Sequence, residues 1–153
     1  MKKEYTFEEL LHKAASYCSI SEHCVSEVDA KLLAWDVALK DRKKIISKLQ
    51  EDDFINEQRF CNAFVKDKFR FNKWGKVKIS LALTAKGLNR AMIETAVSLI
   101  DEGEYEEMLA SILKKKLQGI SYQYEYEKQG KLFRFAQSRG FEASVIEKTL
   151  RRI

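Results

Sequence analysis

Two histidines, three cysteines and one dense run of cations are the residues of this 153-residue chain whose chemistry could carry a function. His12 and His23 stand in separate segments, and Cys18, Cys24 and Cys61 are odd in number and lack C-x-x-C spacing. Neither a zinc site nor a disulfide framework is expected from that pattern, and the thiols read as small buried apolar groups in a reducing cytoplasm. No G-x-S-x-G elbow, no G-x-x-x-x-G-K phosphate loop and no paired catalytic acids occur. Asp53 and Glu57 read as helix-start acids that favour the positive end of a helix dipole. The expectation is a chain that is not an enzyme and uses no metal or cofactor.

The cations are concentrated. Lys66, Lys68, Arg70, Lys73, Lys76, Lys78, Lys86 and Arg90 face a single acid, Asp67, over 25 positions. On a 100° wheel Arg59, Lys66, Arg70 and Lys73 fall within roughly 60° of one another, with Phe60, Cys61, Phe64 and Phe69 on other faces. Such a stripe is either a solvated helix face or a contact strip for phosphates or an acidic protein surface. Phe69, Phe71 and Trp74 interleave with it, an arrangement that could stack unpaired bases but is more often core or hinge packing between helices. Gly75 follows where the chain must turn, and is expected to supply a backbone conformation. Lys114, Lys115 and Lys116 close a later helix and complement its dipole.

The elements that position these residues are helical. Proline is absent and glycine occurs six times, which removes the strongest helix breakers. Phe7, Leu10, Leu11, Ala14, Ala15 and Cys18 form an apolar stripe behind a Thr6–Glu9 capping pattern. Val25, Val28, Leu32 and Trp35 mark a second helix, and Ile45, Ile46 and Leu49 a third. Asn56 and Glu57 open a fourth, whose buried side is Phe60, Cys61, Phe64, Val65 and Phe69. Val77, Ile79, Leu81 and Leu83 alternate with polar or small residues and by themselves suggest a strand.

An internal repeat decides against the strand. At a shift of 53, Gly87-Leu88 falls on Gly140-Phe141, Ile79 on Leu132, Leu83 on Ala136 and Met92-Ile93 on Val145-Ile146. Val77 and Leu81 instead meet Gly130 and Arg134, so the shared positions have helical spacing. At a shift of 51, Val28 and Leu32 match Ile79 and Leu83, and Asp36-Val37 matches Gly87-Leu88. The chain therefore reads as all-α, with three tandem three-helix repeats over residues 1–55, 56–102 and 103–153 stacked into an elongated, curved array. Glycine or aspartate closes each middle helix, as a left-handed C-cap requires. No stretch approaches the length of a membrane span, and no apolar core follows Lys2-Lys3 as a secretory leader would need. A net charge of +5 adds a hint of an anionic partner.

The middle repeat carries a resemblance. Phe54-Ile55-Asn56-Glu57-Gln58-Arg59-Phe60-Cys61-Asn62-Ala63-Phe64-Val65, then Lys73-Trp74-Gly75-Lys76-Val77-Lys78-Ile79, then Leu83-Thr84-Ala85-Lys86-Gly87-Leu88, is similar to the signature of the RecX family of recombination regulators. The resemblance covers essentially the whole chain. It implies a monomeric cytoplasmic regulator in DNA recombination, DNA repair and the SOS response, which binds the RecA–DNA filament and inhibits its extension and activities. It implies no cofactor and no membrane. DNA itself, single- or double-stranded, is a further expected contact. Asn72 and Val77 depart from the family's loop, which often reads Gly-x-Gly-Pro, and Glu27 stands where the later units have Lys78 and Lys131, so the second unit is expected to contribute most. The candidate contact residues are Arg59, Lys66, Arg70, Lys73, Trp74, Lys76, Lys78 and Lys131. The alternative is a basic helical-repeat protein that binds nucleic acid by itself; an adaptor for some other protein is a third reading.

Overall fold

The computed structural model describes residues 4–153, so the Lys2-Lys3 end, on which the absence of a leader was read, lies outside it. The described residues form nine helices and no strand: α1 Phe7–Ile20, α2 Val25–Ala34, α3 Leu39–Glu51, α4 Glu57–Arg70, α5 Lys76–Ala85, α6 Arg90–Val97, α7 Glu102–Gly119, α8 Glu125–Ser138 and α9 Ala143–Arg152. None is long and apolar enough to cross a membrane.

Polar side chains start the helices. Thr6 Oγ1 accepts from the Glu9 N–H at 3.1 Å, Asn56 from Arg59 at 3.0 Å, Asn89 from Met92 and Asp101 from Glu104, each at 2.9 Å. Each of these bonds satisfies an N–H that has no partner within its helix. The middle helices α2, α5 and α8 are followed by Asp36, Gly87 and Gly140 at φ of 60°, 87° and 93°. This is the left-handed turn that the repeat pattern predicts.

Helices α1, α2 and α3 pack on one another, as do α4 to α6 and α7 to α9. The residues shared between repeats are the ones buried: Val28, Ile79 and Leu132; Leu32, Leu83 and Ala136; Val37, Leu88 and Phe141. Helical spacing thus overrides the alternation, and residues 77–83 are helix because only Ile79 and Leu83 of the four apolar positions are buried. Phe64, placed on the buried side by its wheel position, is only half-buried; its ring tilts against Phe60 at the edge of the core.

The side-chain core is divided unevenly. Ala14, Val28, Leu32, Ile45 and Leu49 belong to one cluster within α1–α3. A second cluster runs without a break through α4–α9 and includes Phe69, Tyr105 and Phe141. Phe141 is 2% exposed and packs on Tyr105 with ring centroids 5.1 Å apart. Phe141→Ala should therefore cost about 3–5 kcal/mol, read by chemical denaturation, whereas a loss below about 1 kcal/mol would show that the cluster is loosely packed there. The chain exposes 9650 Å², against about 8,000 Å² for a compact protein of this length, as an elongated array should.

Candidate partner-binding surface and the joints between units

Two joints hold the array together, and they consume several of the cations. At the second joint the first turn of α5 meets α7 and the α8–α9 turn. Gly75 N–H donates to Arg139 O at 2.8 Å, Lys76 N–H to Tyr105 Oη at 2.9 Å and Val77 N–H to Gly140 O at 2.9 Å. Three orphan donors of a helix start are thereby satisfied by the next unit. Tyr105 Oη in turn donates to Glu142 Oε1. Burial, followed by that carboxylate, pushes the Tyr105 hydroxyl far above its usual range, so it remains a donor. Gly75 has an ordinary φ of −78°. Its requirement is therefore not a special backbone conformation, as its place in the turn suggested, but space: a Cβ there would lie 2.3 Å from Gly140 O.

The first joint repeats this geometry with polar side chains. Val25 N–H donates to Glu57 Oε2 at 3.2 Å, and Ser26 Oγ to Lys86 O at 2.5 Å, at the start of α2. Cys24, fully buried, inserts into the core that α4–α9 share. Arg59 Nε meets Glu22 Oε1 at 2.6 Å and Arg59 Nη1 meets Asp53 Oδ2 at 3.1 Å, while Lys86 Nζ reaches Glu27 Oε2 at 3.0 Å. Burial works to raise the Glu27 carboxyl, but hydrogen bonds from Lys86, the Cys24 N–H and His23 outweigh it and hold the group below the usual carboxylate range. A depressed folded-state value stabilises this joint fully above about pH 4.3, the ordinary glutamate value, and that contribution is lost as pH falls through the folded value. Below about pH 4, amide exchange in α1–α3 should accelerate before exchange in α4–α9; simultaneous acceleration would deny the first joint its ionic character.

The sequence-predicted contact residues therefore divide. Arg59 is tied to Glu22 and Asp53, Lys76 to Glu102 at 2.5 Å, and Lys131 Nζ to the Ser121 carbonyl. Trp74 is half-buried against the shared core, with Lys68 Nζ 5.0 Å and Lys78 Nζ 4.6 Å from its ring centroid. Lys66, Arg70 and Lys73 are exposed and have no carboxylate partner among the described residues. Lys73, at φ 57°, lies beyond the end of α4, so its wheel angle does not describe its position. Lys66 and Arg70 rim a groove of about 540 Å³ whose floor includes Val65, Phe69, Ala96 and Ile100, with Asp101 and Glu104 also in its wall.

Sequence reasoning missed an exposed apolar pair in the same unit. Val77 and Leu81 sit four residues apart on the outer face of α5 and are 43% and 66% exposed, and Phe71 is 80% exposed. The signal was present: Val77 and Leu81 are the positions of the apparent strand that find no apolar match in the third repeat. Among the described residues, no group of histidine, cysteine, aspartate or glutamate side chains is arranged to hold a metal.

Comparison with known proteins agrees with this architecture. Residues 56–97 match the family model described as RecX, second three-helix domain. The regulatory protein RecX of Clostridium botulinum strain Eklund 17B is 32% identical over 106 residues, covering 68% of this chain and 49% of that protein. The regulatory protein RecX of Clostridium acetobutylicum is 28% identical over 146 residues, covering 92% of this chain and 67% of that protein. This chain thus spans about half the length of the first of these relatives. The crystal structure of RecX from Lactobacillus salivarius superposes with a TM-score of 0.86 at 23% identity, covering 95% of each chain, a likeness of fold. The sequence matches extend well beyond the 56–97 unit into its neighbours, and the chain belongs to the RecX family.

Proposed function

We propose that this chain is a non-enzymatic regulator that binds the RecA–DNA nucleoprotein filament and inhibits its extension and activities, with residues 56–102 as the principal contact unit between the flanking units 1–55 and 103–153. Family membership supports a regulatory role, and one observation supports the choice of surface. Arg59, Lys76 and Lys86 are engaged with carboxylates within the chain, whereas Lys66, Arg70 and Lys73, at and just beyond the C-terminal end of α4, have no carboxylate partner among the described residues. Val77 and Leu81 supply exposed apolar area in the same unit. Unpaired rim cations steer association with an anionic surface, and apolar anchors slow dissociation.

Inhibition is read as the rate of ATP hydrolysis by the cognate recombinase on single-stranded DNA, with this chain titrated in. A rate that falls to a plateau supports the proposal. An unchanged rate, together with salt-sensitive binding to bare DNA, would favour the alternative of a basic repeat protein acting on nucleic acid alone.

A further inference from the structure

The third unit carries an aromatic surface that the basic face of the second does not involve. Between α7 and α8 the chain reads Ser121-Tyr122-Gln123-Tyr124-Glu125-Tyr126. Tyr122, Tyr124 and Tyr126 are 46%, 52% and 73% exposed. Three large rings left in water within five residues are unusual, since such area is ordinarily buried. The rings of Tyr124 and Tyr126 are already stacked, with centroids 5.6 Å apart and planes 8° from parallel. Tyr126, at 73% exposed, leaves most of its ring in water.

The helices that flank them are rich in cations. Residues 114–139 hold seven cations, Lys114, Lys115, Lys116, Lys128, Lys131, Arg134 and Arg139, against two acids. Both acids are engaged locally: Glu125 pairs with Lys128 at 2.8 Å, and Glu127 accepts the Gln123 N–H at 3.3 Å. Lys128 Nζ stands 5.8 Å from the Tyr122 ring centroid, and Lys131 Nζ holds the Ser121 carbonyl at the start of the segment. Flat, exposed rings on a segment flanked by cation-rich helices suit a ligand that offers both π surfaces and phosphates.

We propose that Tyr124 and Tyr126 form a stacking platform for the unpaired bases of single-stranded nucleic acid. A duplex hides its base faces within its own stack, so the platform discriminates against it. An acidic protein surface would satisfy the lysines but would leave the paired rings without a flat partner.

The test is fluorescence anisotropy of the full chain with a labelled oligothymidylate and an abasic strand of equal length and charge. Oligothymidylate should bind at least about fivefold tighter than the abasic strand, because stacking is worth that much or more per base. Tyr124→Ser combined with Tyr126→Ser should abolish the difference, and Tyr124→Phe combined with Tyr126→Phe should keep it. Phe71→Ser, which removes the exposed ring beside the basic run, should also keep it. Equal affinity of the unsubstituted chain for the two strands would overturn the proposal, as would loss of the preference in Phe71→Ser. A serine pair that lowers recombinase inhibition but leaves the base preference intact would assign the tyrosines to a protein contact instead. These binding measurements contain no recombinase, so their failure is separate from failure of the filament proposal.

Discussion

Gly75→Ala should lower the melting temperature by roughly 6–12 °C, the shift expected for about 3 kcal/mol in a chain of this size. An added Cβ would lie 2.3 Å from Gly140 O, 2.4 Å from Gly140 C and 2.5 Å from Phe141 N. All three neighbours are backbone atoms, so no side chain can rotate out of the way. The helix start and the α8–α9 turn must separate, which stretches the Gly75–Arg139 and Val77–Gly140 hydrogen bonds together. Gly119→Ala is the control. It sits at the end of α7 with no atom of the described residues within 4 Å of its would-be Cβ, and alanine there should leave the melting temperature within about 2 °C or raise it. Gly75→Ala melting with the unsubstituted chain would mean that the two turns are not in contact.

The largest functional effect is expected from reversing Lys66, Arg70 and Lys73 to glutamate. The change moves the formal net charge by six, from +5 to −1, and converts the attractive rim into a repulsive one. Helix content and melting temperature should barely move, because exposed charges without partners contribute little to folding. Inhibition of recombinase ATP hydrolysis at moderate salt should be lost. The same reversal at Lys40, Lys43 and Lys44 in α3 changes the net charge equally on another unit and should cost far less. Equal loss in both triple variants would reduce the effect to net charge. Loss in neither would place the contact on another surface of the array.

Much of the fold was legible because its determinants are local or repeated. The helical phase of α5 follows from Ile79 and Leu83 being the positions kept in all three units, and the left-handed ends at Asp36, Gly87 and Gly140 from the residue types in matching places. Caps at Thr6 and Asn56 were readable for the same reason. The contact surface was less legible because its determinants are distant in sequence. A helical wheel gives the direction of Arg59 but not the carboxylate of Glu22, 37 residues away, that neutralises it. Gly75 could be marked as a turn residue, but the reason for glycine is Gly140, on another unit. The exposed Val77 and Leu81 were visible only as failures of the repeat.

The two joints also differ in mechanical character. The glycine joint is short-ranged: a displacement of about an ångström removes its backbone hydrogen bonds and its ring contacts together, so it behaves as a brittle coupling. The ionic joint is held in large part by long side chains, Arg59, Lys86, Glu22 and Glu27, whose attraction falls only as the inverse of separation. Its ion pairs yield gradually, while Cys24 in the shared core and the Ser26–Lys86 hydrogen bond limit how far α1–α3 can turn. A chain laid along a support that lengthens or winds would take up the strain by swinging α1–α3, while α4–α9 travelled as one body.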